Sequence, residues 1–400
     1  MAAQASATND NSRASIDGRL ARTLRTSGIT PARSAAIAID LASGRTLFSQ
    51  NADTALAPAS NEKLTVTYGA LVELGPEYRF NTDVVGEGRQ VGDDWQGRLV
   101  LKGFGDPTLT TAGLERLARK LYALGIRRVT GSVVADASWG DRDWSAPGWS
   151  SGDYGFESAP LAGLVANGGF RQNILETDPP LAAAALFARV LRGQGIEIHG
   201  AVDGRAPASA PTLASIHSHK LSVLLRTMDT DSVNYIAEMV LKAIGAKATG
   251  TGSTAAGARI VRRDLGIAGV PLAGARIVDG SGLSSLDRVT ANELATLLLV
   301  FWRSPELHNL VTDSLAVAGE TGTLEDRLDA KGTRGVVRGK TGTTKISSAL
   351  SGYVGSRYAF VLLQNGDPVN WSAAHVVQDR FVEALAKVSP KRVALSGRSR

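Results

Sequence analysis

The first residues that could do chemistry are a serine and a lysine three positions apart, Ser60 and Lys63. Positions i and i+3 share one face of a helix, so the hydroxyl and the amine can meet. A serine is a poor nucleophile until a base takes its proton, and a lysine can be that base if burial or a nearby cation lowers its pKa. The pair predicts nucleophilic acyl chemistry, although a lone S-x-x-K also occurs by chance on solvated helices.

Each of two further motifs is weak evidence of function when it is considered alone. Ser232–Asn234 is an S-x-N just before a predicted helix, where Ser and Asn are also favoured as N-terminal caps. Lys340–Thr343 reads K-T-G-T after a predicted strand, and a strand end with a turn would explain it equally well. Functionally, Lys340 could bind a carboxylate, Gly342 could let a substrate backbone approach, and the Thr343 N–H could stabilise an oxyanion.

The order of the three motifs changes their meaning. S-x-x-K, S-x-N and K-T-G occur at a helix start, in an inter-helix loop and on a strand, a trio typical of penicillin-binding proteins and β-lactamases. The chain resembles the low-molecular-mass class C penicillin-binding proteins, the D-Ala-D-Ala carboxypeptidase/endopeptidases of the DacB type (peptidase S13). Over roughly residues 30–390 the resemblance also includes Leu56–Ser60, Gly103–Leu109, Ala146–Trp149, Asp279–Ser284 and Gly319–Arg327.

The resemblance implies an α/β (α+β) fold, with a penicillin-binding transpeptidase-like domain in which helices cover an antiparallel sheet. The long interval between Ser60 and Ser232 implies an inserted α/β domain, which class A β-lactamases lack. Relatives carry a third domain nested within the insertion. Here the chain passes from Asn167 to Pro179 in a few residues, so we expect that domain to be absent or vestigial.

The resemblance also implies a role for each candidate residue. Ser60 would attack the penultimate D-Ala carbonyl of a peptidoglycan stem peptide and be acylated by β-lactams, with Lys63 as base. The other roles are a proton relay at Ser232, an amide contact at Asn234, carboxylate binding at Lys340 and Thr341, and an oxyanion hole formed by the Ser60 and Thr343 N–H groups. Asp153 would contact the free amine of a diamino acid, although a turn in a loop is an equally good interpretation.

The elements that must position these residues can be predicted from the hydrophobic pattern. Residues 1–15 read as a disordered leader, residues 16–80 and 206–400 as the penicillin-binding domain, and residues 81–205 as the insertion. An N-terminal hairpin near residues 35–48 and two C-terminal strands, 349–354 and 358–364, could join one sheet. A helix should begin near Ser60 and stop at Gly75, where Gly followed by Pro is a strong end signal.

Composition narrows the classes of partner. The net charge is +6 and the pI is about 9.6, which favours acidic partners such as wall polymers or an anionic membrane surface. No basic stripe is interleaved with aromatics, so nucleic acid is not expected. With no cysteine in the chain we expect no disulfide, and no metal or cofactor is predicted.

Localisation and two rival functions stay open at this point. The first residues lack the apolar core of a signal peptide, so either the protein is cytoplasmic or its leader has been removed. The wall substrate that the resemblance implies favours an extracytoplasmic protein whose leader is absent from this sequence. A β-lactamase or esterase on the same fold, and a catalytically silent wall-binding protein, remain alternatives. A P-loop is disfavoured because three residues separate Gly335 from Gly339 where that motif needs four.

Overall fold

The computed structural model describes residues 16–388. The predicted leader (1–15) and a cluster of basic residues near the C-terminus, Lys391, Arg392, Arg398 and Arg400, lie outside the described residues. A helix, α1, covers residues 16–23 of that range. Among the residues described, no helix is both long enough and apolar enough to cross a membrane. The described residues form two six-stranded sheets, each with its own helices, and one separate two-stranded hairpin.

The main sheet joins the two ends of the chain, as the sequence pattern predicts. It has six strands in the order β11-β12-β13-β14-β1-β2, all antiparallel. The N-terminal strand pairs with β14 from Ser34 opposite Gln364 to Asp40 opposite Tyr358. The strands are β1 (Ser34–Asp40), β2 (Thr46–Gln50), β11 (Ala316–Val317), β12 (Val337–Thr343), β13 (Ser347–Val354) and β14 (Tyr358–Asn365).

Helices cover both faces of this sheet, and this arrangement explains why β13 and β14 are almost wholly buried. One core lies between the sheet and six helices, and a second lies under the last helix and residues near Leu20. The helices are α2 (Lys63–Glu73), α5 (Leu221–Thr230), α6 (Asn234–Thr249), α7 (Thr254–Ile267), α8 (Ala291–Arg303), the short α9 (His308–Thr312) and α10 (Trp371–Ala386). The predicted antiparallel sheet covered by helices is therefore confirmed.

The second sheet is mixed, and most of it lies within the predicted insertion. Its order is β10-β3-β4-β6-β9, with antiparallel pairing from β10 to β4 and parallel pairing from β4 to β9; β5 also pairs with β4. Helices α3 (Thr111–Ala123) and α4 (Pro179–Gly193) pack on it. The strands are β3 (Asn81–Val91), β4 (Asp94–Gly103), β5 (Arg128–Val129), β6 (Val133–Asp136), β9 (Ala201–Asp203) and β10 (Thr212–His217).

Two details refine the predicted organisation. The Ala/Pro/Ser-rich segment at 206–211 connects two strands of the second sheet, because β10 pairs with β3. We therefore propose that the inserted region runs from residue 81 to 217 and does not end at 205. Where a nested domain was expected to be reduced, the chain forms a hairpin of two short strands, β7 (Phe170–Arg171) and β8 (Ile174–Leu175).

Candidate active site

Ser60 lies on a tighter turn than the predicted α-helix. Residues Ala59–Glu62 form a 3₁₀ turn, and α2 begins only at Lys63. With three residues per turn, positions i and i+3 eclipse each other, so Lys63 Nζ comes within 2.9 Å of Ser60 Oγ. Ala59, just before the serine, has a left-handed φ of 47°, which is strained for a residue other than glycine and typical of functional sites.

Lys63 is wholly buried, and three acceptors surround its amine. Besides Ser60 Oγ, the Lys63 Nζ donates to Asn234 Oδ1 at 2.7 Å and to the Ser281 carbonyl at 2.8 Å. A neutral amine has two N–H donors and one lone pair. If Asn234 and Ser281 accept the two N–H groups, the lone pair is left facing the Ser60 hydroxyl. The arrangement therefore suits a lysine that accepts a proton from serine.

The nucleophile turn is fastened to the main sheet from several sides. Asn61 Nδ2 donates to the Lys340 carbonyl at 3.1 Å, and Ser347 Oγ donates to the Ala57 carbonyl at 2.6 Å. A Cβ on Gly342 would lie 2.9 Å from the Pro58 carbonyl oxygen. A side chain at Gly342 would therefore collide with the turn that carries the nucleophile. The predicted approach of a substrate backbone at Gly342 stays a prediction.

The K-T-G-T segment forms an open edge beside Ser60. Within the described chain β11 pairs only with Arg338 and Gly339, so residues 340–343 extend beyond it. The Val337 carbonyl accepts from the N–H of Ala318, the residue just after β11. In an antiparallel strand the N–H and C=O groups of every second residue point to the same side, so those of residues 337, 341 and 343 share one side. The Thr341 and Thr343 N–H groups therefore face the open edge. Buried Lys340 Nζ donates to the Thr341 carbonyl at 3.0 Å on the same edge.

The S-x-N motif lies in the turn between α5 and α6. Ser232 has a left-handed φ of 61°, and Val233 occupies the N-cap position without a side-chain cap hydrogen bond. The capping interpretation is therefore wrong for this motif. Asn234 instead accepts from Lys63 through Oδ1, while its Nδ2 donates to the Glu157 carbonyl at 2.9 Å.

Asp153 lies on the loop that reaches Asn234, at residues 150–158. Its carboxylate accepts from the Ser150 N–H, and its carbonyl accepts from the Glu157 and Ser158 N–H groups. This geometry fits the turn interpretation of Asp153. The loop brings Glu157, a residue that the sequence analysis did not single out, to the S-x-N motif.

Burial shifts the pKa values of three ionisable side chains in the site, Lys63, Lys340 and Asp229. Burial lowers the pKa of Lys63 from 10.5 to about 8, although the Asp279 and Glu238 carboxylates oppose the shift. Burial, and then the charge of Lys63, lower the pKa of Lys340 to about 7, against the Asp229 carboxylate. Burial raises the pKa of Asp229 to about 6, opposed first by Lys340. With a pKa of about 8, roughly one Lys63 in ten is neutral at pH 7.

The pKa of Lys63 predicts the acid limb of the acylation profile. The base must be neutral, so the first-order acylation step should rise with pH, about tenfold per unit well below the pKa, and level off above about pH 8. Affinity is measured separately, because Lys340, which is assigned to the penicillin carboxylate, has a pKa of about 7 and loses its charge over the same range. Stopped-flow acylation with a fluorescent penicillin between pH 5.5 and 9 measures this limb. An acylation rate that stays constant from pH 6 to 8 would contradict the assignment of Lys63 as base. So would a rate that still rises steeply at pH 9, as expected for a lysine with its ordinary pKa of 10.5.

The fold and the site together define a serine acyl-transfer enzyme of the penicillin-binding class. A sequence model of the D-Ala-D-Ala carboxypeptidase 3 (S13) family matches residues 16–179 and 169–388. The chain belongs to this family. The two matched segments overlap at residues 169–179, the region of the β7–β8 hairpin.

Individual relatives agree with this placement. A D-alanyl-D-alanine carboxypeptidase of Actinomadura sp. strain R39 is 30% identical, with 88% of this chain and 81% of that protein aligned. Carboxypeptidase DacB of Mycolicibacterium smegmatis is 33% identical, over 81% and 73%. The crystal structure of penicillin binding protein 4 (dacB) from Haemophilus influenzae is similar in fold, with a TM-score of 0.83 at 22% identity, covering 92% of this chain and 99% of that one. The predicted family, fold and enzyme class, a serine-type D-Ala-D-Ala carboxypeptidase, are confirmed.

Besides Glu157, three contributors to the site were not predicted as site residues. The Ser281 carbonyl binds Lys63, Glu238 binds the loop that carries Ser281, and Asp229 accepts from Thr67 Oγ1 and Ser314 Oγ behind Lys340. A backbone carbonyl has no residue-type signal, so the first could not be found by motif. Glu238 did carry a signal, because it is a carboxylate in the middle of an apolar helix segment.

Proposed function

We propose that the protein hydrolyses the terminal D-Ala-D-Ala bond of peptidoglycan stem peptides through an acyl-enzyme on Ser60. The observation that carries this proposal is the fully buried Lys63 amine, 2.9 Å from Ser60 Oγ and held by two further acceptors. Serine chemistry needs such a base, and burial keeps part of the amine neutral near pH 7.

Acylation begins with the attack of Ser60 Oγ on the carbonyl of the penultimate D-Ala. Lys63 Nζ takes the hydroxyl proton, and the carbonyl oxygen becomes an oxyanion. The N–H groups of Ser60 and Thr343 bind that oxyanion; losing one such donor commonly costs about 10²–10³ in rate. Lys340 and Thr341, at the open edge of β12, bind the terminal carboxylate of the peptide.

Collapse of the tetrahedral intermediate breaks the peptide bond and leaves an ester on Ser60. The departing D-Ala amine takes the proton that Lys63 accepted from Ser60, relayed by Ser232. Water then hydrolyses the ester, which releases the shortened peptide and restores the Ser60 hydroxyl. Asn234 orients Lys63 through Oδ1. Its Nδ2 has two N–H donors, which reach the Glu157 carbonyl at 2.9 Å and, more weakly, Glu157 Oε2 at 3.4 Å. The weaker contact would give way when Asn234 holds the acyl side-chain amide of the substrate.

Release of D-alanine from a pentapeptide ending in D-Ala-D-Ala tests the proposal. We expect turnover of the peptide, and after acylation by benzylpenicillin we expect slow hydrolysis of the penicilloyl ester to penicilloate. Fast, sustained nitrocefin hydrolysis without peptide turnover would favour a β-lactamase, and no reaction with either compound would favour a silent wall-binding protein. Comparing monomeric peptides with cross-linked dimers separates carboxypeptidase from endopeptidase action.

The proposal also covers the location of the protein in the cell and its recognition of the diamino acid of the stem peptide. The substrate class implies action outside the cytoplasm, and the net charge of +6 favours peripheral association with the wall or an anionic membrane surface. An Asp153 contact with the amine of a diamino acid remains a prediction. An Asp153→Ala variant with an undiminished preference for amine-bearing peptides would exclude it.

A further inference from the structure

Glu238 is a wholly buried carboxyl group on α6, four residues after Asn234. Positions i and i+4 lie on one face of a helix, so Glu238 projects from the same side as the S-x-N asparagine, one turn further along. The mechanism above does not use it. A buried carboxyl group is costly unless its hydrogen bonds compensate, so its contacts indicate what it stabilises.

Those contacts lead directly to the catalytic base. One oxygen of Glu238, Oε1, accepts from the Gly280 N–H at 3.0 Å and from the Ser281 N–H at 2.8 Å. The carbonyl of the same Ser281 accepts from Lys63 Nζ at 2.8 Å. One peptide segment therefore links the Glu238 carboxyl group to the Lys63 amine.

The loop around Ser281 has little freedom to move by itself. Asp279 accepts from the Gly282 N–H through Oδ1 and from the Ser284 N–H through Oδ2, each at 2.7 Å. Gly282 has a φ of +80°, and a Cβ there would lie 1.8 Å from the Ala59 carbonyl oxygen. The loop thus packs directly against the nucleophile turn, and a shift of Ser281 would move one of the three acceptors around Lys63.

We propose that Glu238 is a positioning residue for acylation, which fixes the Ser281 carbonyl so that the Lys63 lone pair faces Ser60. Two residues of one helix would then position both N–H acceptors of Lys63. Asn234 is one acceptor itself, and Glu238 holds the Ser281 carbonyl, which is the other. The inference rests on the proposed function, because it assigns a role within that site.

The role requires an acceptor oxygen at the right distance, and it does not require a negative charge. Burial, and then the Asp279 carboxylate, raise the pKa of Glu238 to about 8, so its neutral form predominates at pH 7. Oε2 has no hydrogen-bond partner among residues 16–388, whereas Oε1 accepts both amides. Glutamine has the same length and the same acceptor, and aspartate is one methylene shorter but can be charged.

The test measures acylation of Glu238→Gln and Glu238→Asp by a fluorescent penicillin at pH 7, separating non-covalent affinity from the first-order acylation step. We expect Glu238→Gln to acylate within about threefold of the wild-type rate. Glu238→Asp should acylate about 10–100-fold more slowly with little change in affinity, because small misplacements of a catalytic group cost on this scale.

Matched variants at Asp136 control for a change at any buried carboxylate. Asp136 is also buried, at the end of β6 in the second sheet, and its carboxylate accepts from two backbone N–H groups, those of Ser138 and Ala206. Asp136→Asn and Asp136→Glu should leave the acylation step unchanged. Acylation of Glu238→Asp as fast as or faster than Glu238→Gln, or equal slowing in the Asp136 variants, would overturn the inference. A wild-type protein that penicillin does not acylate would overturn the proposed function as well.

Discussion

Lys63→Met should lower the rate of acylation by benzylpenicillin by up to about 10⁴-fold, the upper range for a positioned general base. Methionine fills a similar volume in this buried position but cannot accept the Ser60 proton. The acid limb near pH 8 should disappear in the residual activity, because Lys63 is the group that titrates there. Stopped-flow acylation across pH, with thermal unfolding measured in parallel, provides the comparison.

A second buried lysine offers the matched control for this variant. Lys242 is also wholly buried, on α6, and pairs with Asp141 at 2.5 Å instead of a serine. Lys242→Met removes a buried ammonium without touching the Ser60 contact, so it should affect stability more than the acylation step. If both variants slowed acylation equally at matched folded fraction, the base assignment for Lys63 would be wrong.

Ser60→Ala should abolish turnover of a D-Ala-D-Ala peptide, by about 10⁶-fold on the scale of nucleophile removal in serine hydrolases. The substitution removes one hydrogen bond, from Lys63, and leaves the anchors of the turn at Asn61 and Ala57 in place. The variant should therefore fold and bind the peptide without cleaving it. Peptide turnover by chromatography and binding by calorimetry measure the two effects.

An equally buried serine outside the site controls for the loss of a hydroxyl. Ser218 Oγ accepts from the Phe80 N–H at 3.0 Å, and Ser218 lies just beyond β10. Ser218→Ala should retain the wild-type rate per folded molecule. Measurable peptide turnover by Ser60→Ala would mean that another nucleophile performs the reaction.

The sequence was sufficient to predict which residues the fold brings together, because their types and order are specific; their catalytic roles stay predictions. Ser60, Lys63 and Asn234 form one hydrogen-bonded cluster, and Asn61 links the same turn to the Lys340 carbonyl. The antiparallel sheet joining both ends of the chain followed from matching hydrophobic patterns. In these cases local residue type and global fold agree, so motif reasoning was enough.

What the sequence missed depends on the backbone and on contacts made at long range. The Ser281 carbonyl has no side-chain signature, and the 3₁₀ geometry at Ser60 depends on packing against Gly282 and Gly342. The segment 206–211 has the composition of a linker, but the strands on either side of it, β9 and β10, belong to the same sheet. A short loop rich in proline and alanine can join two domains or two strands of one sheet, so its composition does not distinguish the two cases.

Peptide mapping by mass spectrometry after brief exposure to benzylpenicillin tests the central claim most directly. A Ser60 acyl-enzyme predicts one penicilloyl adduct per chain, on the peptide that contains Ser60. The adduct should form with the pH dependence of Lys63 and be absent in Ser60→Ala. An adduct on any other residue, or an undiminished adduct in Ser60→Ala, would contradict the assignment of Ser60 as the nucleophile.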